Sequence, residues 1–166
     1  MLGLEDVFAA DGPLAAAMPG YRPRSGQIDM ALDIADAISH QSPLCAEAGT
    51  GVGKTFAYLV PLLLDGRRAI VATHTRNLQD QIYFGDVPRL KAALGVELDV
   101  ALLKGRANYY CHYRADQARP HGRKDAAVLS GLKAWVAQHE SGDLDQYDGL
   151  PADWILKPQV SSTSEN

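Results

Sequence analysis

The segment Glu47-Ala48-Gly49-Thr50-Gly51-Val52-Gly53-Lys54-Thr55 decides the fold. A polyphosphate is held by consecutive backbone N-H groups that all point inward, and a main chain curls that tightly only where side chains are small or missing. Gly49, Gly51 and Gly53 meet that need, and a helix starting at Lys54 aims its unsatisfied N-H groups and the positive end of its dipole at the same anion. Lys54 then reaches the outer phosphates as a mobile point charge, and the Thr55 hydroxyl is of the type that ligates Mg²⁺. Ala48, Thr50 and Val52 complete the lining of the loop. The strict pattern G-x-x-x-x-G-K-[ST] has glycine where this chain has Ala48. The Gly51, Gly53, Lys54, Thr55 spacing arises by chance in only a few per thousand chains of this length, taking roughly 6 to 7% usage per residue.

Outward from the loop, the order of elements is that of a nucleotide-binding α/β fold. Leu44-Cys45-Ala46 reads as a short strand before the loop, with Cys45 a small buried hydrophobe. Phe56 to Leu64 reads as the helix after it, bent at Pro61 and stopped by Asp65-Gly66. Ala69-Ile70-Val71-Ala72-Thr73 is a second strand, Thr75 caps a helix to about Phe84, Val87 to Leu94 adds another, and Val100-Ala101-Leu102-Leu103 is a third strand. Alternating strands and helices predict a parallel, doubly wound sheet. Upstream, Gln27, Ala31, Ile34 and Ile38 recur at helical spacing opposite Asp29, Asp33 and Asp36. Before Arg24, Pro13, Pro19 and Pro23 predict a loosely ordered lead-in.

Composition bounds the rest. The chain has 166 residues with 46% hydrophobic and 22% charged, so it can bury one good core. The acidic start Met1-Leu2-Gly3-Leu4-Glu5-Asp6 and the lack of any long apolar run predict neither a secretory signal nor a membrane span, and hence a cytoplasmic protein with no membrane partner. The balance of 16 basic and 20 acidic residues, −4 overall, excludes binding of nucleic acid by bulk charge alone. A local patch is different. Seven Lys or Arg (104, 106, 114, 119, 123, 124, 133) stand against two Asp between Ala101 and Lys133, interleaved with Tyr109, Tyr110 and Tyr113. Such a stretch suits single-stranded nucleic acid, and equally a solvated helical face. Residues 140–153 then carry five acids and no Lys or Arg.

Hydrolysis also needs an apolar strand ending in an acid to hold Mg²⁺ and activate water. Leu62-Leu63-Leu64-Asp65 imitates one, but it lies in the helix after the loop and runs away from the phosphates. The chain alone is therefore expected to bind nucleotide poorly and turn it over negligibly.

Several motifs in order resemble the DinG/XPD-type iron-sulfur DNA helicases of superfamily 2, especially the bacterial YoaA-like members. Tyr21-Arg22-Pro23-Arg24-Ser25-Gly26-Gln27-Ile28-Asp29-Met30 is similar to their glutamine motif, which implies that Arg24 and Gln27 contact the adenine side of ATP. Glu47 to Thr55 is similar to motif I, whose variant form carries alanine at the position of Ala48. Thr73-His74-Thr75-Arg76-Asn77-Leu78-Gln79-Asp80-Gln81 is similar to motif Ia, implying DNA contacts from Thr73, His74, Thr75 and Asn77. Leu103-Lys104-Gly105-Arg106-Ala107-Asn108-Tyr109-Tyr110-Cys111 is similar to the segment that delivers the first cysteine of a [4Fe-4S] cluster, with Lys104 and Arg106 toward DNA.

The resemblance implies a RecA-like P-loop motor domain, an ATP-dependent 5′ to 3′ activity of the DNA-repair type, Mg²⁺, and a single-stranded or forked DNA partner. It divides the chain into a lead-in 1–23, part of the first motor domain 24–103, and the start of an iron-sulfur insertion 104–166. In the family a turn similar to Ser161–Asn166 leads into the second cluster cysteine, so the chain is expected to be an N-terminal fragment, with Cys111 a ligand only in the intact parent. Read without the resemblance, Arg24 and Gln27 are also the polar entry of an amphipathic helix, and Thr73 to Gln81 a capped helix start. A small self-contained P-loop nucleotide-binding protein or phosphotransferase is the second reading, and a non-catalytic fragment acting through protein contacts the third.

Overall fold

A computed structural model describes residues 3–163 and separates the chain into two compact units, Met1–Leu102 and Leu103–Asn166. In the first unit, α1 (Leu4–Phe8) and α2 (Pro13–Ala17) precede α3 (Ser25–His40), α4 (Lys54–Asp65), α5 (Arg76–Asp80), a π-helical turn (Gln81–Asp86) and α6 (Val87–Leu94). α3 forms where the apolar spacing predicts it. It ends at Gln41, whose left-handed φ of 51° lets the Gln41 and Ser42 N-H groups close on the Ile38 and Ala37 carbonyls before Pro43. α4 runs unbroken through Pro61.

The core of this unit is all helical. Ala57, Val60 and Leu63 of α4, with Ala31 of α3, meet Ile82 of the π turn and Val87 and Leu90 of α6. Val7, Phe8 and Leu14 join the same cluster with no exposed surface. Val7, Phe8 and Leu14 are therefore core residues, and the described stretch that carries them is not a loosely ordered lead-in. Burying Phe8 and Leu14 is worth about 1.5–3 kcal/mol each, which proline-rich spacing does not reveal.

The expected sheet is not formed: among the described residues there is no paired strand, only two isolated antiparallel bridges in the second unit, Tyr109 with Asp143 and Tyr110 with Ser161. Residues 44–46, 69–73 and 100–103 carry no regular structure. Ile70 is 93% exposed and Leu103 80%. Cys45 is likewise exposed instead of packed. The physical reason is non-locality. A helix satisfies its backbone within the segment, whereas a parallel strand depends on a neighbour brought alongside by a crossover, and none of these three segments lies in a ladder with another.

The second unit contains α7 (His112–Gln117), α8 (Arg123–Val136) and α9 (Lys157–Val160). Leu129, Leu132 and Val136 of α8 pack with Ala115, Leu144, Trp154, Leu156 and Val160, and the Trp154 indole N-H donates to Asp125 at 3.1 Å. Residues 109–111 lie beside 160–162: the Cys111 N-H donates to the Val160 carbonyl at 2.7 Å and the Ser162 N-H to the Tyr109 carbonyl at 2.9 Å. Ser164–Asn166, the last part of the turn singled out in the sequence, lies outside the described residues. Among the described residues, no helix is long and apolar enough to cross a membrane.

Candidate nucleotide-binding site

The loop takes the shape its glycines allow. Gly51 and Gly53 have φ of 82° and 89°, a region that side chains resist, and α4 starts at the next residue. Lys54 folds over the loop, its ammonium donating to the carbonyls of Ala48 at 2.8 Å and Gly49 at 2.9 Å. Thr55 is half-buried in the first turn of α4. Asp65, the imitation of an acidic strand end, closes the far end of the same helix, ~16 Å along the axis from Lys54 at 1.5 Å per residue. It is paired there with Arg67 at 2.7 Å.

Gln27 is only 2% exposed and its amide N-H donates to the Gly53 carbonyl at 2.9 Å. The Tyr21 hydroxyl lies 3.3 Å from both Gln27 Oε1 and the Phe8 carbonyl oxygen. Burial pushes the Tyr21 phenol up, against the opposing charge of nearby Arg24. A Cβ added to Gly53 would collide with Gln27 Nε2 and come within 3.7 Å of Arg24 Nη1. Tyr21, Arg24 and Gln27 thus converge on Gly53, although 26 residues separate Gln27 from it. Gln27 keeps a second amide hydrogen and further lone-pair capacity for a ligand.

The residues of the second motif lie together at the entry to α5. The Thr75 hydroxyl caps that helix, accepting from the Leu78 N-H at 3.3 Å, and the Thr73 hydroxyl donates to the Thr75 carbonyl at 3.2 Å. His74, Thr75 and Asn77 are exposed. Capping and exposed polar side chains therefore occupy the same short segment.

Lys104 is placed differently from the DNA-facing side chain that the sequence suggests. It is 6% exposed, with its ammonium 3.0 Å from Asp143 and 3.3 Å from Asp145. Burial alone lowers its pKa, but hydrogen bonds and charge from Asp143 and Asp145 outweigh that and raise it. Lys157 approaches Asp145 at 3.5 Å, and Lys133 pairs with Asp116 at 2.7 Å. The acidic stretch 140–153 thus neutralises part of the basic stretch inside one unit. Charge counting along the chain sees two separate runs and misses their pairing. Arg106 is exposed and donates to the Thr163 carbonyl at 3.2 Å.

Cys111 precedes α7 and is half-buried. Among the described residues no group of three His, Cys, Asp or Glu side chains could hold a metal ion. A single thiolate does not fit a [4Fe-4S] cluster, so no chemistry is derived through one. The loop does fit a magnesium nucleotide: it offers a hard oxygen ligand at Thr55, an ammonium, and a backbone cradle that a Cβ at Gly53 would disrupt.

The DEAD/DEAH box helicase family matches residues 29–116. The ATP-dependent DNA helicase YoaA of Haemophilus influenzae is 41% identical and that of Escherichia coli 42%, each alignment covering 98% of this chain. The 3′-5′ exonuclease DinG of Bacillus subtilis is 32% identical over 84% of this chain. The chain spans about a quarter of the length of the YoaA relatives, 26%, and 16% of that DinG. The chain therefore belongs to the DEAD/DEAH box helicase family, whose domain implies a P-loop NTPase fold, with YoaA and DinG proteins as its relatives.

Proposed function

We propose that this chain forms the nucleotide-binding front of an ATP-dependent DNA helicase motor of the 5′ to 3′, DNA-repair type. The observation that carries the reading is the grip of Gln27 on the Gly53 carbonyl, which joins the glutamine motif to the phosphate loop at 2.9 Å. Arg24 and Gln27 face the adenine side, and the loop N-H groups from Gly49 to Lys54 surround the phosphates. Lys54 exchanges the Ala48 and Gly49 carbonyls for phosphate oxygens, and the Thr55 hydroxyl turns to Mg²⁺, which when bound supplies charge neutralisation across the outer phosphates. Thr73, His74, Thr75 and Asn77 take the backbone of single-stranded or forked DNA; Arg106, within the second unit, is a DNA contact read on its own.

In the intact motor the segments 44–46, 69–73 and 100–103 join a parallel sheet, and Cys111 is one of four cysteines around a [4Fe-4S] cluster. The exposed apolar surface of Ile70 and Leu103 supports that pairing. This chain alone turns over nucleotide negligibly. The test is titration of the 166-residue chain with ATP and Mg²⁺, with Lys54→Ala as control. Loss of binding in the variant is expected, and equal binding by both proteins would remove the phosphate-loop reading.

A further inference from the structure

The nucleotide reading uses Arg24, Gln27 and the loop, and leaves Tyr21 without a part. Tyr21 lies just before α3, half-buried against the core of the first unit. Its hydroxyl reaches two acceptors, Gln27 Oε1 and the Phe8 carbonyl oxygen, each at 3.3 Å. Phe8 ends α1 and has no exposed surface, so the second acceptor is fixed by the core. The phenol can donate only while it keeps its proton, and burial, by raising its pKa, keeps it there throughout the neutral range.

A glutamine amide presents a carbonyl on one side and an NH₂ group on the other, and turning it over exchanges acceptor for donor. At Gln27 both sides are held: Nε2 donates to the Gly53 carbonyl at 2.9 Å, and Oε1 accepts from Tyr21. One amide hydrogen and one Oε1 lone pair remain. A donor beside an acceptor matches adenine, which offers a ring-nitrogen acceptor beside an amino donor, whereas guanine offers two acceptors along the same edge. We infer that Tyr21 is a positioning residue for base recognition: its hydroxyl, seated on the Phe8 carbonyl, fixes the Gln27 amide in the orientation that favours an adenine nucleotide over a guanine one. This rests on the reading of Gln27 and the phosphate loop above and goes beyond it. It gives the buried end of α1 a share in choosing the nucleotide.

The test separates the base from the phosphates. The wild-type chain, Tyr21→Phe, Gln27→Ala and Lys54→Ala are titrated calorimetrically with ATP, GTP and inorganic tripolyphosphate in Mg²⁺, and their thermal unfolding is recorded. Tyr21→Phe retains the ring and its packing. It is expected to weaken ATP binding about three- to tenfold, the worth of one hydrogen bond, and to leave tripolyphosphate binding unchanged. The preference for ATP over GTP should narrow by the same factor. Gln27→Ala should show the same base-dependent loss, and adding Tyr21→Phe to it should cost little more, since both act through one amide. Unchanged ATP affinity of Tyr21→Phe, or a loss shared equally by GTP or by tripolyphosphate, overturns the inference, while the phosphate-loop reading stands if Lys54→Ala has lost binding. No binding by the wild-type chain, or full binding by Lys54→Ala, overturns both.

Discussion

The Gln27 side-chain amide donates across 26 positions of sequence to the main-chain carbonyl of Gly53, which also accepts from the Phe56 and Ala57 N-H groups of α4 at 3.1 and 3.2 Å. Gln27→Ala removes this bond while the Gly53 carbonyl keeps those from Phe56 and Ala57, and is expected to cost about 0.5–1.5 kcal/mol in denaturant unfolding followed by circular dichroism. Gly53→Ala should cost more than the strain of a positive φ alone, because at a φ of 89° the new Cβ also meets Gln27 Nε2. The double variant Gln27→Ala/Gly53→Ala removes the collision and should be less destabilised than the sum of the single changes.

At Lys104 the expected effect is large and confined to stability. Lys104→Met leaves the buried Asp143 carboxylate without its ammonium while Asp145, partly exposed, keeps Lys157, and such a break costs about 3–5 kcal/mol. Both tryptophans, Trp135 and Trp154, lie in the second unit, so their emission during urea unfolding reads the loss directly. Lys104→Met combined with Asp143→Asn should recover part of it.

Residues 73–77 separate two roles by variant. Thr75→Ala removes the cap that accepts from Leu78 and should lower stability by about 0.5–2 kcal/mol. His74→Ala and Asn77→Ala are on the surface, so thermal unfolding should barely move while affinity for single-stranded DNA falls. Loss of stability without loss of DNA affinity across all three variants would reduce the segment to a capped helix.

The pH dependence has an alkaline and an acid side. Tyr21, Tyr58 and Tyr110 are all pushed above the ordinary 10.0, burial being the largest cause for each, and Lys104 and Lys133 above the ordinary 10.5. A group raised on folding contributes stability that is complete below its unfolded pKa and is lost as pH rises through the folded one, so stability should decline above about pH 10. Phenolate absorbance should show a late phase worth three tyrosines. Asp65 and Asp116 are lowered from 3.8, first by hydrogen bonds from Arg67 and Lys133. Their contribution is complete above pH 3.8 and disappears as pH falls through the lower folded values. Both acids are at the surface, so 1 M salt should shrink the acid effect.

The sequence is most legible where structure is local. The glycine loop, the helix after it, α3 with its Gln27-Ala31-Ile34-Ile38 stripe and the Thr75 cap all follow from spacing and capping chemistry within a few residues. The buried role of Phe8 and Leu14 is hidden because a short apolar run between prolines has no period. Lys104 defeats reading for a related reason: its partners Asp143 and Asp145 are about forty positions away, and sequence charge counts show two opposed runs instead of one neutralised cluster. The strand-forming composition of Ala69 to Thr73 is real, but pairing depends on a neighbour that composition does not name.

Under the proposed function, Lys54 also decides which anions the loop prefers. Its ammonium already satisfies two carbonyl oxygens, Ala48 and Gly49, and capture of a phosphate exchanges these neutral acceptors for charged ones. The gain from that exchange grows with the charge delivered, since hydrogen bonds to ionised acceptors are roughly twice as strong as those between neutral groups. The lysine thus acts as a valve set by valence, closed against weakly charged esters and opened by a polyphosphate.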